Sequence, residues 1–241
     1  MKEEYTRETY PSFGKKYNSE CAIISLTSWT ARINTVAKTI YSLLKQCPGF
    51  HIVLVLSEEE FPKMMDELPE NLKLFVNNEL IEILWVYKNY KSFKKWIFTS
   101  DKYRDVPIIS ADDGCMYTEN FAKQLYSSWL KNKNSISAIT VIKYNNFYIP
   151  VGCRGILYPP NSAKHYLNLL IPNVLKTNHD DGLTAALNKN KIIDIKSVYH
   201  INTKHKNFNI FTDDECFALS VNNAFNNKDI FKLYDIVKAL S

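Results

Sequence analysis

Short apolar runs alternate with helical patterns through the first half of the chain, and this alternation constrains the fold more than any other feature. Four runs have the length of buried strands, at 22–27, 51–56, 81–87 and 108–111. Helical patterns follow the first and third runs, at 36–44 and 92–100, and the second run is followed by an acidic helix start at Glu58, Glu59 and Glu60. Strands that alternate with helices form βαβ units, whose strands run parallel. The sequence therefore predicts an α/β fold with a mostly parallel central sheet flanked by helices.

The second half of the chain has a different pattern and predicts a mixed α+β arrangement. The first elements predicted there are a helix at 119–130, a strand at 136–142 and an aromatic hairpin at 147–158 around Gly152 and Gly155. The later ones are a helix from Asp180 or Asp181 to 188, a strand at 192–195 and a helix at 229–240.

The composition is that of an ordinary globular domain. The chain has 241 residues, of which 46% are hydrophobic, so it can bury a substantial core. We predict a polar N-terminal extension at 1–20 and a single domain at 21–241. The formal charge of +5 favours anionic partners but is too small for a nucleic-acid-binding signature.

The cysteines and the hydropathy pattern bear on location. Five cysteines are scattered without a C-x-x-C pair, which indicates reduced thiols. No window reaches the ~18 apolar residues of a membrane span, and the N-terminus has no apolar signal segment. We therefore expect a cytoplasmic protein whose membrane association, if any, is peripheral at the inner face of the membrane. Lysines and aromatic residues at 91–96 could make that contact, but an ordinary amphipathic helix is the simpler interpretation.

Two adjacent carboxylates, Asp112 and Asp113, end the fourth apolar run. In an open α/β sheet the ligand crevice lies beyond the carboxyl ends of the strands. Adjacent carboxylates repel each other, and a divalent cation that prefers hard oxygen ligands, Mg²⁺ or Mn²⁺, would offset the repulsion. The alternative interpretation is an acidic turn that caps the helix starting near Glu119.

Six segments of the chain occur in an order and spacing that is informative only when they are taken together. They read ISLTSWTARI at 24–33, LSEEEFP at 56–62 with LP at 68–69, KSFKK at 91–95, SADD at 110–113, GCRGILYPP at 152–160 and HDDGL at 179–183. Over about residues 22–225 these segments resemble bacterial glycosyltransferases related to family 2, which build surface polysaccharides. The resemblance implies a GT-A fold, with a nucleotide-binding half at 21–117 and an acceptor-binding half at 118–241.

The resemblance also implies a reaction. A sugar would move, with inversion, from a nucleotide-diphosphate sugar, a UDP-sugar first among them, to a saccharide or a lipid-linked saccharide acceptor. In such enzymes an Asp-x-Asp motif binds Mn²⁺ or Mg²⁺, and Asp112 and Asp113 fill that place. Relatives carry three consecutive aspartates, whereas the third position here is Gly114. The alternative is therefore a weakly active or inactive GT-A protein that serves as a binding or scaffold partner in polysaccharide assembly.

The resemblance assigns candidate residues to each part of the site. The donor candidates are Thr27, Ser28, Arg32, Lys95, Asp112 and Asp113. The acceptor candidates are Gly152, Arg154, Gly155 and His179. The metal candidates are Asp113, Asp112, His200 and His205, the histidines because imidazole is a common Mn²⁺ ligand. For Lys94 and Lys95 the alternative is a solvated helix face.

Asp180 and Asp181 form a second acidic pair, at the predicted start of a helix. Helix capping accounts for one of the two acids. If the transfer is inverting, a carboxylate must take the proton of the acceptor hydroxyl. The resemblance places that base in this motif, and we assign it to Asp181 with Asp180 as the alternate.

Two other enzyme classes bear on the interpretation. A nucleotidyltransferase would need a glycine-rich phosphate loop near the first strand, and 25–32 contains no glycine. A hydrolase that uses the two acidic pairs stays open, because the sequence does not give the distance between the pairs.

Overall fold

The structure is a computed structural model that describes residues 9–18, 21–46, 50–144, 147–163, 198–200 and 208–210, with the backbone alone at 142–144, 147, 198–200 and 208–210. Its strands are β1 (Ser12–Gly14), β2 (Ile23–Thr27), β3 (His51–Ser57), β4 (Glu82–Val86), β5 (Ile108–Ser110), β6 (Cys115–Tyr117), β7 (Ile136–Ala138), β8 (Val141–Tyr144), β9 (Phe147–Pro150), β10 (Ile156–Tyr158), β11 (Val198–His200) and β12 (Phe208–Ile210). Its α-helices are α1 (Val36–Leu44), α2 (Glu70–Asn77), α3 (Lys94–Lys102) and α4 (Phe121–Lys131). Short 3-10 helices lie at Met64–Glu67, Lys91–Phe93 and Gly152–Arg154.

Eight of these strands form one sheet, in the order β1-β4-β3-β2-β5-β10-β7-β11. Its centre is parallel, because β2 pairs in parallel with both β3 and β5, and β3 pairs in parallel with β4. The predicted α/β fold with a mostly parallel core flanked by helices is confirmed. The chain moves outward from β2 to β4 and then returns to place β5 on the other side of β2. The strand order therefore reverses between β2 and β5.

Alternate residues of β3 show why helices cover both faces of the sheet. Ile52, Leu54 and Leu56 belong to a buried cluster that includes α1, α2 and α4. Val53 and Val55 belong to a second cluster, which includes α3. A strand that is buried on both faces needs apolar residues at every position, and this is why it appears in the sequence as a continuous apolar run.

A buried polar cluster lies where β3 and β4 begin, at the opposite end of these strands from Asp112 and Asp113. The carboxylate of Glu82 accepts hydrogen bonds from the ammonium of Lys102 at 2.7 Å and the hydroxyl of Tyr103 at 2.5 Å. Nε2 of His51 lies 2.6 Å from the same carboxylate. Burial alone would raise the pKa of Glu82, but its three partners bring that pKa below the ordinary value.

The polar N-terminal segment contributes an edge strand that the sequence does not indicate. β1 pairs antiparallel with β4, with Ser12 opposite Leu84. Just before it, the buried Tyr10 packs edge-on against Phe98 and donates a hydrogen bond to Asp101 at 3.3 Å. A strand of three residues is too short to give a periodic apolar signal.

The predicted helix start at 58–60 is wrong. These residues form a turn, and the next α-helix begins at Glu70. The N–H of Glu60 donates to the carbonyl of Ser57 at 3.2 Å. Met64 then has a φ of 52°, a left-handed conformation through which an α-helix cannot continue, and it begins the short 3-10 helix that ends at Glu67.

The single strand predicted at 136–142 and the hairpin predicted at 147–158 are also wrong. The first segment is divided between β7, in the large sheet, and β8, which pairs antiparallel with β9. In the second segment β10 pairs with β5 and β7. Gly155, with a φ of 96°, turns the chain towards the large sheet in a conformation that glycine adopts without strain. The elements predicted at 181–188, 192–195 and 229–240 lie outside the described residues.

Among the described helices, none combines the length and the apolar character that crossing a bilayer requires.

Candidate functional site

The candidate site lies where the strand order reverses. β2 ends at Thr27 and β5 ends at Ser110, and the two strands are neighbours, with Ser25 opposite Ser110. The loops that follow them bring the predicted donor residues of 27–32 beside Asp112 and Asp113. In open α/β sheets, the crevice at such a reversal is where ligands bind.

Asp113 is held by the loop that follows β2. Its two carboxylate oxygens accept one hydrogen bond each, from the hydroxyl of Ser28 and from Nη1 of Arg32, both at 2.7 Å. The hydroxyl of Thr39 donates to its main-chain carbonyl at 2.9 Å. Only 6% of Asp113 is exposed. Burial raises the pKa of this carboxyl, and Arg32 and Ser28 oppose the rise.

Arg32 retains an unused donor. Its Nη1 bonds to Asp113, whereas its Nε is buried and has no hydrogen-bond partner within the described part of the chain. Buried donors are nearly always paired in folded proteins, so an orphan of this kind is typical of a place where a ligand or water supplies the acceptor.

Asp112 is the more accessible of the two acids, with a third of its side chain exposed. Nζ of Lys95 lies 2.6 Å from its Oδ1. Its main-chain N–H donates to the hydroxyl of Tyr117 at 2.8 Å, and that hydroxyl donates in turn to the carbonyl of Cys153 at 3.3 Å. Asp112 is therefore fixed at both its side chain and its backbone.

Lys94 and Lys95 are both buried, so a solvated helix face is wrong for both. The ammonium of Lys94 contacts Glu60 at 2.5 Å and Asn89 at 2.9 Å, and Glu60 also accepts a hydrogen bond from Ser57 at 2.8 Å. Burial lowers the pKa of Lys94, and Glu60 opposes that shift. Both lysines lie in the first turn of α3, where the helix dipole disfavours cations.

The remaining donor candidate, Thr27, is engaged by the sheet. Its hydroxyl donates to the carbonyl of Val55 at 2.7 Å, which ties the end of β2 to β3. The next loop turns on Trp29, whose carbonyl accepts from the N–H groups of Arg32 and Ile33. Trp29 is 39% exposed and lies in the loop that follows β2.

The predicted acceptor residues 152–155 lie next to this pair of acids. The carbonyl of Cys153 is bonded to Tyr117, as described above. A β-carbon added at Gly155 would lie 2.3 Å from Cε2 of Phe121, and the ring of Phe121 packs on that of Tyr117 with centroids 4.1 Å apart. Gly152 is buried and Arg154 is exposed. The structure thus joins the acceptor candidates to Asp112 through one tyrosine.

Four predicted residues, Asp180, Asp181, His179 and His205, lie outside the described residues. Their roles stay predictions.

His200 ends β11, where the backbone alone is described. It occupies the same row of the sheet as Ala138, Ile156 and Ser110. Three strand spacings therefore separate its backbone from the end of β5, about 14 Å. Its role as a metal ligand stays a prediction.

Asp112 and Asp113, held as they are, do not fit a divalent cation. Mg²⁺ and Mn²⁺ take several oxygen ligands, but three of the four carboxylate oxygens already accept hydrogen bonds from Ser28, Arg32 or Lys95. Within the part of the chain that is described, no three His, Cys, Asp or Glu side chains form a cluster that could hold a metal. An ion at this place would have to displace a resident cation.

Sequence reasoning missed three residues of the site. Glu60 belongs to a run of three glutamates, and nothing in the run indicates which one turns inward to Lys94. Asn89 and Tyr117 gave no signal, because their roles depend on contacts with residues that only the fold brings near.

Comparisons with known proteins give structural likeness alone. No protein-family model and no curated protein sequence matches the chain. The chain is similar to the glycosyltransferase GlyE of Streptococcus pneumoniae TIGR4, at 13% identity over 91% of this chain and 52% of that one, with a TM-score of 0.46. For the apo form of GlyE the identity is 11% over 68% of this chain and 40% of that one, with a TM-score of 0.41. For S. aureus TarS 1–349 the identity is 12% over 54% of this chain and 38% of that one, with a TM-score of 0.39.

The chain thus spans about half or less of the length of these proteins. Likeness at this level does not bear on donor, acceptor or mechanism, which depend on the site.

Proposed function

We propose that the chain is a glycosyltransferase that binds a nucleotide-diphosphate sugar, a UDP-sugar first among the candidates, in the crevice between the ends of β2 and β5. One observation carries the proposal: three cations, Arg32, Lys94 and Lys95, are withdrawn from water around that crevice. The sequence resemblance to glycosyltransferases supports the same function.

The energetics of these cations favour an anionic ligand. A buried ammonium is unfavourable unless it is paired, and the first turn of a helix is an unfavourable place for Lys94 and Lys95. Glu60 and Asp112 pair with the two ammonium groups and offset the cost of burial, but the unfavourable position at the start of the helix remains, and such an arrangement at a ligand crevice is typical of a functional site. A diphosphate is the anion that best matches several converging donors.

The roles follow from position. Lys95 would meet the phosphates, and the guanidinium of Arg32 would add positive charge beside them. The accessible carboxylate of Asp112 would accept hydrogen bonds from ribose hydroxyls, and Trp29 would contact the base. Asp113, enclosed by Ser28 and Arg32, would hold the loop after β2 in place.

The acceptor side is proposed on the resemblance and on the bond between Tyr117 and Cys153. A saccharide or lipid-linked saccharide would lie against Gly152, Arg154 and Gly155, with His179 beside it. Asp181, or Asp180 as its alternate, would take the proton of the attacking hydroxyl in an inverting transfer. The product would belong to a surface polysaccharide, made at the inner face of the membrane.

Isothermal titration of the purified chain with UDP, GDP, CMP and dTDP tests the proposal. We expect one nucleotide to bind, and Arg32→Met to weaken its affinity by about tenfold or more, because a positive charge beside the phosphates is lost. Lys73→Met, which removes a partly exposed lysine on α2, is the control and should bind like the wild type. Failure of all four nucleotides to bind would contradict the proposal.

A second candidate is a binding or scaffold partner without catalytic activity, which Gly114 favours because it removes one of the expected acids. Turnover separates the two. An active enzyme releases UDP from a UDP-sugar in the presence of acceptor, whereas a scaffold protein binds the nucleotide and releases none.

A further inference from the structure

We infer that the donor site works without a divalent cation, because Lys95 and Arg32 supply the positive charge that a metal would otherwise bring. This inference rests on the proposed function and specifies how that site neutralises the phosphates. It departs from the metal dependence that the sequence resemblance implies.

The first step is charge balance. Lys95 lies 2.6 Å from Asp112 and Arg32 lies 2.7 Å from Asp113, so each acid has its own cation. The third acidic position of the motif is Gly114. Two positive and two negative groups leave no surplus negative charge at the centre of the site to attract a divalent ion.

The second step is that Lys95 is not free to leave. Its side chain is 5% exposed, and its main-chain carbonyl accepts a hydrogen bond from the hydroxyl of Ser25, within β2, at 2.5 Å. This fixes the start of α3 against the sheet. A metal that took over Asp112 would leave the ammonium of Lys95 buried beside a second positive charge, which is strongly unfavourable.

The third step is that Arg32 is equally fixed. Its N–H donates to the carbonyl of Trp29, and its own carbonyl accepts from the N–H groups of Thr35 and Val36 and from the hydroxyl of Thr35. The side chain is 14% exposed. A guanidinium cannot lose its charge at any accessible pH, so a metal on Asp113 would meet a permanent positive neighbour.

The two cations can act on a phosphate through their charge. Asp112 is a third exposed, so a phosphate that enters the crevice would approach the pair that Asp112 forms with Lys95. Arg32, whose side chain is 14% exposed, would add positive charge from beside Asp113. A nucleotide diphosphate would then be held by charge-assisted hydrogen bonds.

The test is titration of the full chain with UDP, or with whichever of the four nucleotides binds, in excess EDTA and in millimolar Mn²⁺ or Mg²⁺. We expect the three values of Kd to agree within about threefold. Binding that is tighter by about tenfold or more with metal would overturn the inference and leave the proposed function intact. Absence of nucleotide binding in every buffer would overturn both.

A variant makes the role of Lys95 explicit. Lys95→Met releases Asp112, so we expect the affinity for UDP in EDTA to fall by about tenfold or more and Mn²⁺ to restore part of it. Lys95→Arg keeps the charge, and its affinity for UDP should stay insensitive to metal. This variant still tests the inference if Lys95→Met fails to fold. Lys73→Met is the control for loss of a lysine.

Direct Mn²⁺ binding, followed by electron paramagnetic resonance in the absence of nucleotide, completes the test. The wild type should leave the signal of free Mn²⁺ unchanged, and Lys95→Met should reduce it. Reduction of the signal by the wild type, with the same affinity as by Lys95→Met, would overturn the inference.

Discussion

The hydroxyl of Tyr117 accepts a hydrogen bond from the main-chain N–H of Asp112 at 2.8 Å. It also donates to the carbonyl of Cys153 at 3.3 Å, so one buried oxygen links the loop that carries the two acids to the loop of the acceptor candidates. Burial raises the pKa of Tyr117 well above its ordinary range, which keeps the hydroxyl protonated and able to donate.

Tyr117→Phe removes this oxygen and leaves the ring. We expect the free energy of unfolding to fall by about 1–3 kcal/mol, because the N–H of Asp112 loses its partner. We also expect the affinity for UDP to fall by about tenfold, because the loop that carries Asp112 is no longer held in place. Urea denaturation and calorimetric titration measure the two effects. Tyr41→Phe, on the exposed side of α1, should change neither. A loss of stability with unchanged affinity would limit Tyr117 to a structural role.

Lys94→Met leaves Glu60 without its ammonium partner. Because 13% of the Glu60 side chain is exposed, its charge is poorly hydrated once unpaired, and we expect a loss of about 3 kcal/mol in the free energy of unfolding. Lys73→Met breaks an exposed pair with Glu70 and should cost about 0.5 kcal/mol at most. Equal effects of the two substitutions in urea denaturation would argue against a buried ion pair at Lys94.

Glu82→Gln tests the polar cluster at the start of β3 and β4. The pKa of Glu82 is lower in the folded chain than its ordinary value of 4.5, so the ionised carboxylate stabilises the fold above that pH. This stabilisation is lost as the pH falls through the folded pKa. At neutral pH the variant should be less stable by about 3 kcal/mol, and the difference from wild type should narrow in acid. The measurement is the free energy of unfolding between neutral pH and pH of about 3, with the exposed Glu70→Gln as control. A constant difference across the range would contradict the assignment.

Gly155→Ala should destabilise the chain for two reasons. Its φ of 96° strains any residue with a β-carbon, and that atom would overlap the ring of Phe121. We expect a loss of at least about 2 kcal/mol. The double variant with Phe121→Leu should recover the part due to overlap and not the part due to φ, so its loss should be smaller than the sum of the two single losses. Additive losses in thermal unfolding would show that overlap contributes nothing.

How far the sequence predicts this fold depends on how local the signal is. β3 was predicted within one residue, because burial on both faces makes all of its central positions, 52–56, apolar. α1 was predicted with its observed bounds, because Val36, Ile40 and Leu43 recur with helical spacing. β10 could not be predicted, because its pairing with β5 depends on residues 46 positions away, Ile156 opposite Ser110.

The residues of the candidate site follow the same rule: those with a local signal could be predicted, and those that depend on distant contacts could not. The position of Asp112 and Asp113 at the end of a buried strand follows from the local sequence. The burial of Lys94 and Lys95 does not, because it depends on Glu60 and Asp112, which only the fold brings within reach. The predictions for His179, Asp180, Asp181 and His205 concern residues beyond those described and stay predictions.

The reversal of strand order between β2 and β5 also sets when the site can come into being. Ser28 and Asp113 touch although 85 positions separate them, and β3 and β4 lie between them in the chain. A nascent chain emerging from the ribosome can assemble β2, β3 and β4 side by side before β5 has been translated. Arg32 acquires its carboxylate only when β5 inserts beside β2. Nucleotide affinity would therefore serve as a reporter of that insertion, distinguishing a sheet that contains β5 from one that is compact but lacks it.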